Sequence, residues 1–207
     1  MKTIIENIPA KLLRAAMPFA AGNSDIRFYL HGIHLNSNQG RIESANGYQA
    51  FWAYCEAIKS MEAPFIININ RNIPAKAEYA SIFELEPIKK RYIKKHKTTQ
   101  ATKGLVMVKF YEANGKPLGV ESYMVCDISD SKYPDIDKSV IPNGREPEAV
   151  SKIGLNPELF STIAKVFKVF GKHTGSTTEF YGDGQAIITT VINHELTGYV
   201  ATMPMRF

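Results

Sequence analysis

The stretch from Asn156 to Gly171 limits this chain's fold more than any other, because it carries a full set of helix signals. Asn156 is an N-cap residue, Pro157 fits the first helical position, Glu158 suits the positive helix end, and Gly171 suits the position past the last turn. Between them Leu159, Phe160, Ile163, Val166, Phe167 and Phe170 recur at helical spacing and form one apolar face. Ser161, Lys165, Lys168 and Lys172 fall on the other face. Such a helix needs a sheet beneath it and leaves a basic surface outside. Strands are predicted after it at 177–181, 186–192 and 197–203, with turns at Gly182-Asp183-Gly184 and Asn193-His194.

The start of the chain repeats that order. Residues 2–8 read as a strand, and Pro9 opens a helix that runs to about residue 21 and stops at Gly22-Asn23. Leu12, Leu13, Ala16 and Phe19 make its apolar side, with Lys11 and Arg14 opposite. Strands are predicted at 26–35, 41–45 and 50–57, the last two joined by an Asn46-Gly47 hairpin turn. The middle is nearly all β, at 65–70, 79–85, 105–111 and 120–128, with a second hairpin signal at Asn114-Gly115. Residues 88–103 are basic and poor in apolar side chains, and read as a mobile loop or frayed extension carrying Lys90, Arg91 and Lys94. The expected class is therefore α+β: two β-α-β-β-β halves with added β-hairpins between them. Asn-Ile-Pro-Ala-Lys occurs twice, at 7–11 and 72–76, without a wider sequence repeat.

A chain of 207 residues with 44% hydrophobic and 22% charged content can bury a core without staples. The net charge of +5 permits a phosphate-bearing partner but does not require one. Cys55 and Cys126 lack metal-ligand spacing and sit in apolar runs, so both are expected to be reduced and buried. Glu6 and Pro9 interrupt any signal-peptide run, and no stretch approaches a membrane span; a cytoplasmic location is expected.

Catalytic chemistry is not expected. His31 and His34 are three apart in a strand-like run and point to opposite faces. His96, His173 and His194 are isolated in sequence. Asp127, Asp130, Asp135 and Asp137 lack the central Gly and closing Glu of a calcium loop. No helix follows Gly182-Asp183-Gly184, so it is a turn rather than a phosphate loop. No enzyme activity, metal or cofactor is expected.

Five segments resemble, in order, the β subunit of bacterial DNA polymerase III, the sliding clamp. The chain ends in Met203-Pro-Met-Arg-Phe207, like the family's Met-Pro-Met-Arg tail. Asp25-Ile-Arg-Phe-Tyr-Leu-His-Gly32 is similar to the family's Asp-Val-Arg-Tyr-Tyr-Leu-Asn-Gly, and Ala45-Asn-Gly-Tyr-Gln-Ala50 to its Thr-Asp-Gly-His-Arg-Leu. Tyr133-Pro-Asp through Val140-Ile-Pro142 resembles its Phe-Pro-Asp-Tyr…Val-Leu-Pro linker, and Ile153-Gly-Leu-Asn-Pro157 its strand entering the last helix. The resemblance covers roughly 1–58 and 130–207. It implies a clamp-like domain over 1–143, similar to the family's second domain with a basic insertion at 88–103. Residues 144–207 would form a half-domain like the end of its last domain, packed on the first. A shortened, phage-like or mobile-element member is the expectation.

The resemblance implies a ring whose helices line a hole for duplex DNA, held through Lys11, Arg14, Lys165, Lys168 and Lys172, and through Lys90, Arg91 and Lys94 of the loop. With few helices per chain, several copies would join head to tail. It also implies a groove for linear peptides of polymerases and other partners. Matching motifs place Leu30, Gly47, Tyr48, Gln49 and Ala50 in it, with Pro134, Val140, Met203, Pro204, Met205 and Arg206. Gln49 and Ala50 stand where the family has Arg and Leu, so the groove is expected to lose a charge and an apolar wall. The rival expectation is an interaction protein without a ring, which binds or mimics a host clamp.

Overall fold

Strand β1 (Lys2–Pro9) runs straight into α1 (Ala10–Ala16). The structure, a computed structural model, describes residues 1–88, 90–93, 98–101, 104–119, 123–140, 146–182 and 184–205. Helix α1 has no capping side chain and no acid in its first turn. It persists because Ala10, Leu12, Leu13, Ala15 and Ala16 are buried. It is shorter than the sequence predicts. Pro18 removes a backbone donor, and the chain tightens into a 3-10 turn over Met17–Phe19.

The strand predicted from residue 26 begins only at β2 (Ile33–Asn36), after a 3-10 turn at Phe28–Leu30. Asp25 causes the difference: its carboxylate accepts the Arg27 N–H at 2.8 Å and folds the chain back. β3 (Arg41–Ala45) and β4 (Gln49–Tyr54) form the predicted hairpin, with Gly47 at φ +89°. β4 stops three residues early, because Cys55 starts a single helical turn, α2 (Glu56–Lys59).

Then come β5 (Phe65–Asn68), β6 (Tyr79–Glu86), β7 (Lys90–Ile93), β8 (Thr98–Ala101), β9 (Gly104–Tyr111), β10 (Met124–Ser129) and the short α3 (Ile136–Val140). The basic segment read as a loop contains a two-stranded hairpin, β7 with β8, in register Lys90 to Ala101. Tyr92, Ile93, Thr98 and Thr99 supply its β-favouring residues.

Helix α4 (Pro157–Phe170) is built as its signals require. Asn156 Oδ1 accepts from the Glu158 N–H at 2.9 Å, and Gly171 takes φ +91°. Ile163, Val166 and Phe170 are buried, each stabilising by about 1.5–3 kcal/mol. The strand expected before α4 is reduced to single bridges at Glu148–Tyr181 and Gly154–Met205. β11 (Gly175–Glu179), β12 (Ile187–Ile192) and β13 (Thr197–Thr202) close the chain.

Eleven of the described strands make one antiparallel sheet in the order β1-β6-β9-β10-β5-β2-β3-β4-β13-β12-β11. β4 pairs with β13, joining the two ends of the chain. Alternate residues of β4 serve opposite faces: Phe51 and Ala53 meet the helices, while Ala50 and Trp52 belong to a second cluster on the outer face. α1 and α4 lie together on the first face. Lys11, early in α1, reaches Glu195, on the turn whose Asn193 side chain bonds the Phe170 carbonyl at the end of α4. Among the described residues no helix is long and apolar enough to cross a membrane.

Candidate functional site

Two sites emerge, one on each face of the sheet. On the helix side, Lys165, Lys168 and Lys172 are all exposed along α4 and its end, and make no salt bridge among the described residues. The apolar stripe below forces this arrangement, because Ile163, Val166 and Phe170 fix which way the helix is rolled. The α1 cations differ. Lys11 Nζ lies 3.2 Å from Glu78 and 4.0 Å from Glu195, so it is already paired.

Arg14 departs from its expected place on an open solvent side. Its Nη1 donates to the Ala75 carbonyl at 2.7 Å and its Nη2 to the Ala77 carbonyl at 3.0 Å. The guanidinium therefore pins the 74–77 loop to the helix. Burial lowers its pKa, with the Glu78 charge acting the other way. Lys90 and Arg91 lie in the β7 ladder, and Lys94 lies outside the described residues.

On the outer face, a groove of about 260 Å³ opens between the β3–β4 turn, the Arg27–Leu30 turn, the end of β13 and the α3 segment. Leu30, Gly47, Tyr48, Gln49, Ala50, Pro134, Val140 and Met203 all line it, so the sequence motifs converge in space. Asn46 shapes the turn: its Oδ1 accepts from the Tyr48 and Gln49 N–H groups at 2.9 and 2.8 Å. Tyr48 is left 65% exposed at the rim. Met203 donates its N–H to the Tyr48 carbonyl at 2.9 Å. Pro204 and Met205 do not line the groove; the chain turns away there and Met205 pairs with Gly154 at 3.0 Å. Arg206 lies outside the described residues.

Gln49 brings no charge to the groove, and the cation at its wall is Arg27. Arg27 is forked onto Asp25 (2.9 and 2.6 Å) and donates to the Asn46 carbonyl at 3.0 Å. The Arg27 hydrogen bonds hold the Asp25 carboxyl well below the usual carboxylate range. Gln49 turns its amide the other way, donating to the Leu159 carbonyl and Thr202 Oγ1, both at 2.9 Å. Beside the small Ala50, the apolar wall comes from Tyr29, Ile136, Ala45 and Ala201. Motif matching alone missed these residues and Arg27. The Asp25-Ile-Arg27 turn followed by Tyr29-Leu30 was the available signal.

A buried ionic cluster lies next to the groove. Arg41 is 2% exposed; its Nη1 and Nη2 donate to Asp137 Oδ1 and Oδ2 at 2.8 and 3.1 Å. Arg41 Nε approaches Glu43 Oε1 at 2.9 Å without hydrogen-bond geometry. His34 Nδ1 lies 2.8 Å from Glu43 Oε2, and its ring stacks on Tyr133 at 4.6 Å. Burial pushes the Tyr133 phenol far above its ordinary value, and the Glu43 charge adds to the shift. Cys55 and Cys126 are free and buried, and burial raises both thiols, Cys126 to about 11. Among the described residues no group of three or more His, Cys, Asp or Glu could hold a metal ion.

No protein-family model matches the chain, and no curated protein does. Solved structures do match. The DNA polymerase sliding clamp from Bacillus subtilis aligns with a TM-score of 0.50 at 14% identity, over 98% of this chain and 64% of that one. The H. pylori beta clamp in complex with diflunisal gives 0.51 at 9% identity, over 99% and 66%. The sliding clamp from Pseudomonas aeruginosa with ligand gives 0.52 at 13% identity, over 99% and 67%. The chain spans about two thirds of the length of these structures. Its sheet, with α1 and α4 on one face and strands joined antiparallel from end to end, has the fold of the bacterial DNA polymerase sliding clamps.

Proposed function

We propose that this protein is a clamp-like tether on DNA, holding duplex without sequence preference along α4 and holding partner proteins by linear peptides in the outer groove. The carrying observation is the placement of Lys165, Lys168 and Lys172. They are exposed, unpaired among the described residues, and on the sheet face opposite the groove. Unpaired ammonium groups on one face suit phosphates of either strand, because they read charge and not bases. A groove on the other face leaves a bound peptide clear of the DNA. Several copies would join head to tail through β1 and β11, the two ends of the sheet.

The test has two steps. Light scattering across protein and salt concentrations should give one discrete oligomer that keeps its mass on dilution. That oligomer, loaded on a nicked circular plasmid, should stay through a high-salt wash and come off once the plasmid is cut. A concentration-independent monomer, or equal retention on circular and linear DNA, would overturn the ring.

A second reading is an interaction protein without a ring, directed at another clamp or its peptides. The state of the α1 cations favours it: Lys11 is paired with Glu78 and Glu195, and Arg14 is bonded to the Ala75 and Ala77 carbonyls, so neither is free to meet phosphate. It predicts a monomer that forms a stable complex with a bacterial sliding clamp and shows no salt-sensitive retention on DNA.

A further inference from the structure

The sheet does not supply every wall of the groove. Pro134, Ile136, Ser139 and Val140 belong to the segment around α3, which leaves the sheet after β10 ends at Ser129. A helix of five residues cannot hold itself in water, so this wall must be fixed from outside. Its fixings are a ring stack of Tyr133 on His34, the burial of Ile136 in the cluster that holds Trp52, and the grip of Arg41 on Asp137. Gln39 strengthens that grip, donating to Asp137 Oδ2 at 2.7 Å while its own Oε1 accepts from Arg41.

Stability alone does not explain a buried Arg41 and Glu43 on this strand. Apolar residues of similar volume there would be as stable or more so. What an ion fork supplies is direction: two parallel bonds fix both distance and orientation. We infer that Arg41 and Asp137 are positioning residues for the groove, a clasp that sets the α3 wall at the spacing an extended peptide requires. The inference rests on the peptide-groove reading above. The clasp touches no ligand. It sets Pro134 and Val140 against Leu30 and Met203 before a peptide arrives, so binding does not have to order the wall. Glu43, bonded by His34 and Asn36, backs Arg41 from the sheet side.

The test uses the full chain and a random-peptide phage library selected on the wild-type protein. The best peptide, labelled with fluorescein, is titrated against Asp137→Asn, which keeps the shape and removes the charge. Lys138→Ala, one residue along and exposed, is the control. Asp137→Asn is expected to bind about five- to tenfold more weakly, with a lowered urea midpoint but unchanged DNA association, while Lys138→Ala matches wild type. Equal affinity in Asp137→Asn overturns the clasp, as does an equal loss of peptide binding and DNA association.

If the wild type selects no peptide, the groove reading has failed and the clasp is judged separately. Trp52, the single tryptophan, packs in the Ile136 cluster and reports on the wall. Acrylamide quenching of Trp52 that rises in Asp137→Asn and not in Lys138→Ala supports the clasp; no rise overturns it.

Discussion

Replacing Lys165, Lys168 and Lys172 together by Gln tests the electrostatic argument directly. All three are exposed, so removing them breaks no ion pair or side-chain hydrogen bond among the described residues. Each lysine that meets a phosphate releases counterions, and adds roughly 0.9 to the slope of log affinity against log salt. Three such contacts per chain give about 2.7 units of slope. Over a fourfold rise in salt, the wild type should lose roughly 40-fold more affinity than the triple variant. Fluorescence anisotropy on a labelled duplex, titrated at several salt concentrations, measures this. A second duplex of unrelated sequence should give the same slopes, because no base is read. The triple variant should unfold at the wild-type urea midpoint. A slope change below about 0.5 would refute the reasoning, since it would mean that α4 does not face the phosphates.

The remaining predictions separate structural from functional cations and probe the turns and core. Arg14→Ala should cost about 2 kcal/mol in urea unfolding, because it frees the Ala75 and Ala77 carbonyls, and should leave the salt slope unchanged. Asn156→Ala should cost about 1 kcal/mol by the same assay, through loss of the bond to the Glu158 N–H. Gly47→Ala should cost about 1–2 kcal/mol and lower affinity for the selected peptide, because a Cβ at that positive φ would push into the Arg27 guanidinium. Cys126 should resist thiol reagents at neutral pH in the native state. Burial and then the Asp127 charge raise its thiol from 9.0 to about 11, so the folded chain holds its proton longer than the unfolded one. That contribution is intact below the unfolded value and is lost as pH rises through 11, so the urea midpoint should fall across this window.

The α4 region was legible because every signal in it is local. Asn156, Pro157, Gly171 and the apolar spacing act within the helix itself, and the boundaries came out within a residue. The Asn46-Gly47 hairpin was legible for the same reason. The 26–35 stretch was not, because Asp25 bends it with a side-chain bond that no alternation pattern encodes. Arg14 shows a deeper limit. Helical spacing placed it opposite the apolar side, but its partners come from a loop 60 residues away. Charge on a helix surface says nothing about whether a distant segment will cover it. Eight of the eleven residues named by matching motifs line the groove, while Pro204 and Met205 do not. Their physical roles were not legible: the Gln49 amide faces α4, while Arg27 and the Arg41–Asp137 fork depend on contacts between separate turns.

The two ends of the sheet are unlike. β1 breaks register twice against β6, with Asn7 at φ +59° and Pro9 closing the strand. β11 is regular and exposed at all five residues, Gly-Ser-Thr-Thr-Glu. The head-to-tail joint proposed above would set the uneven rim of one copy against the even rim of the next. A joint of unlike rims has a direction, as links in a chain do. Repeated, it would carry every α4 to the same side, and the three lysines of one copy would become a stripe that lengthens with each copy added.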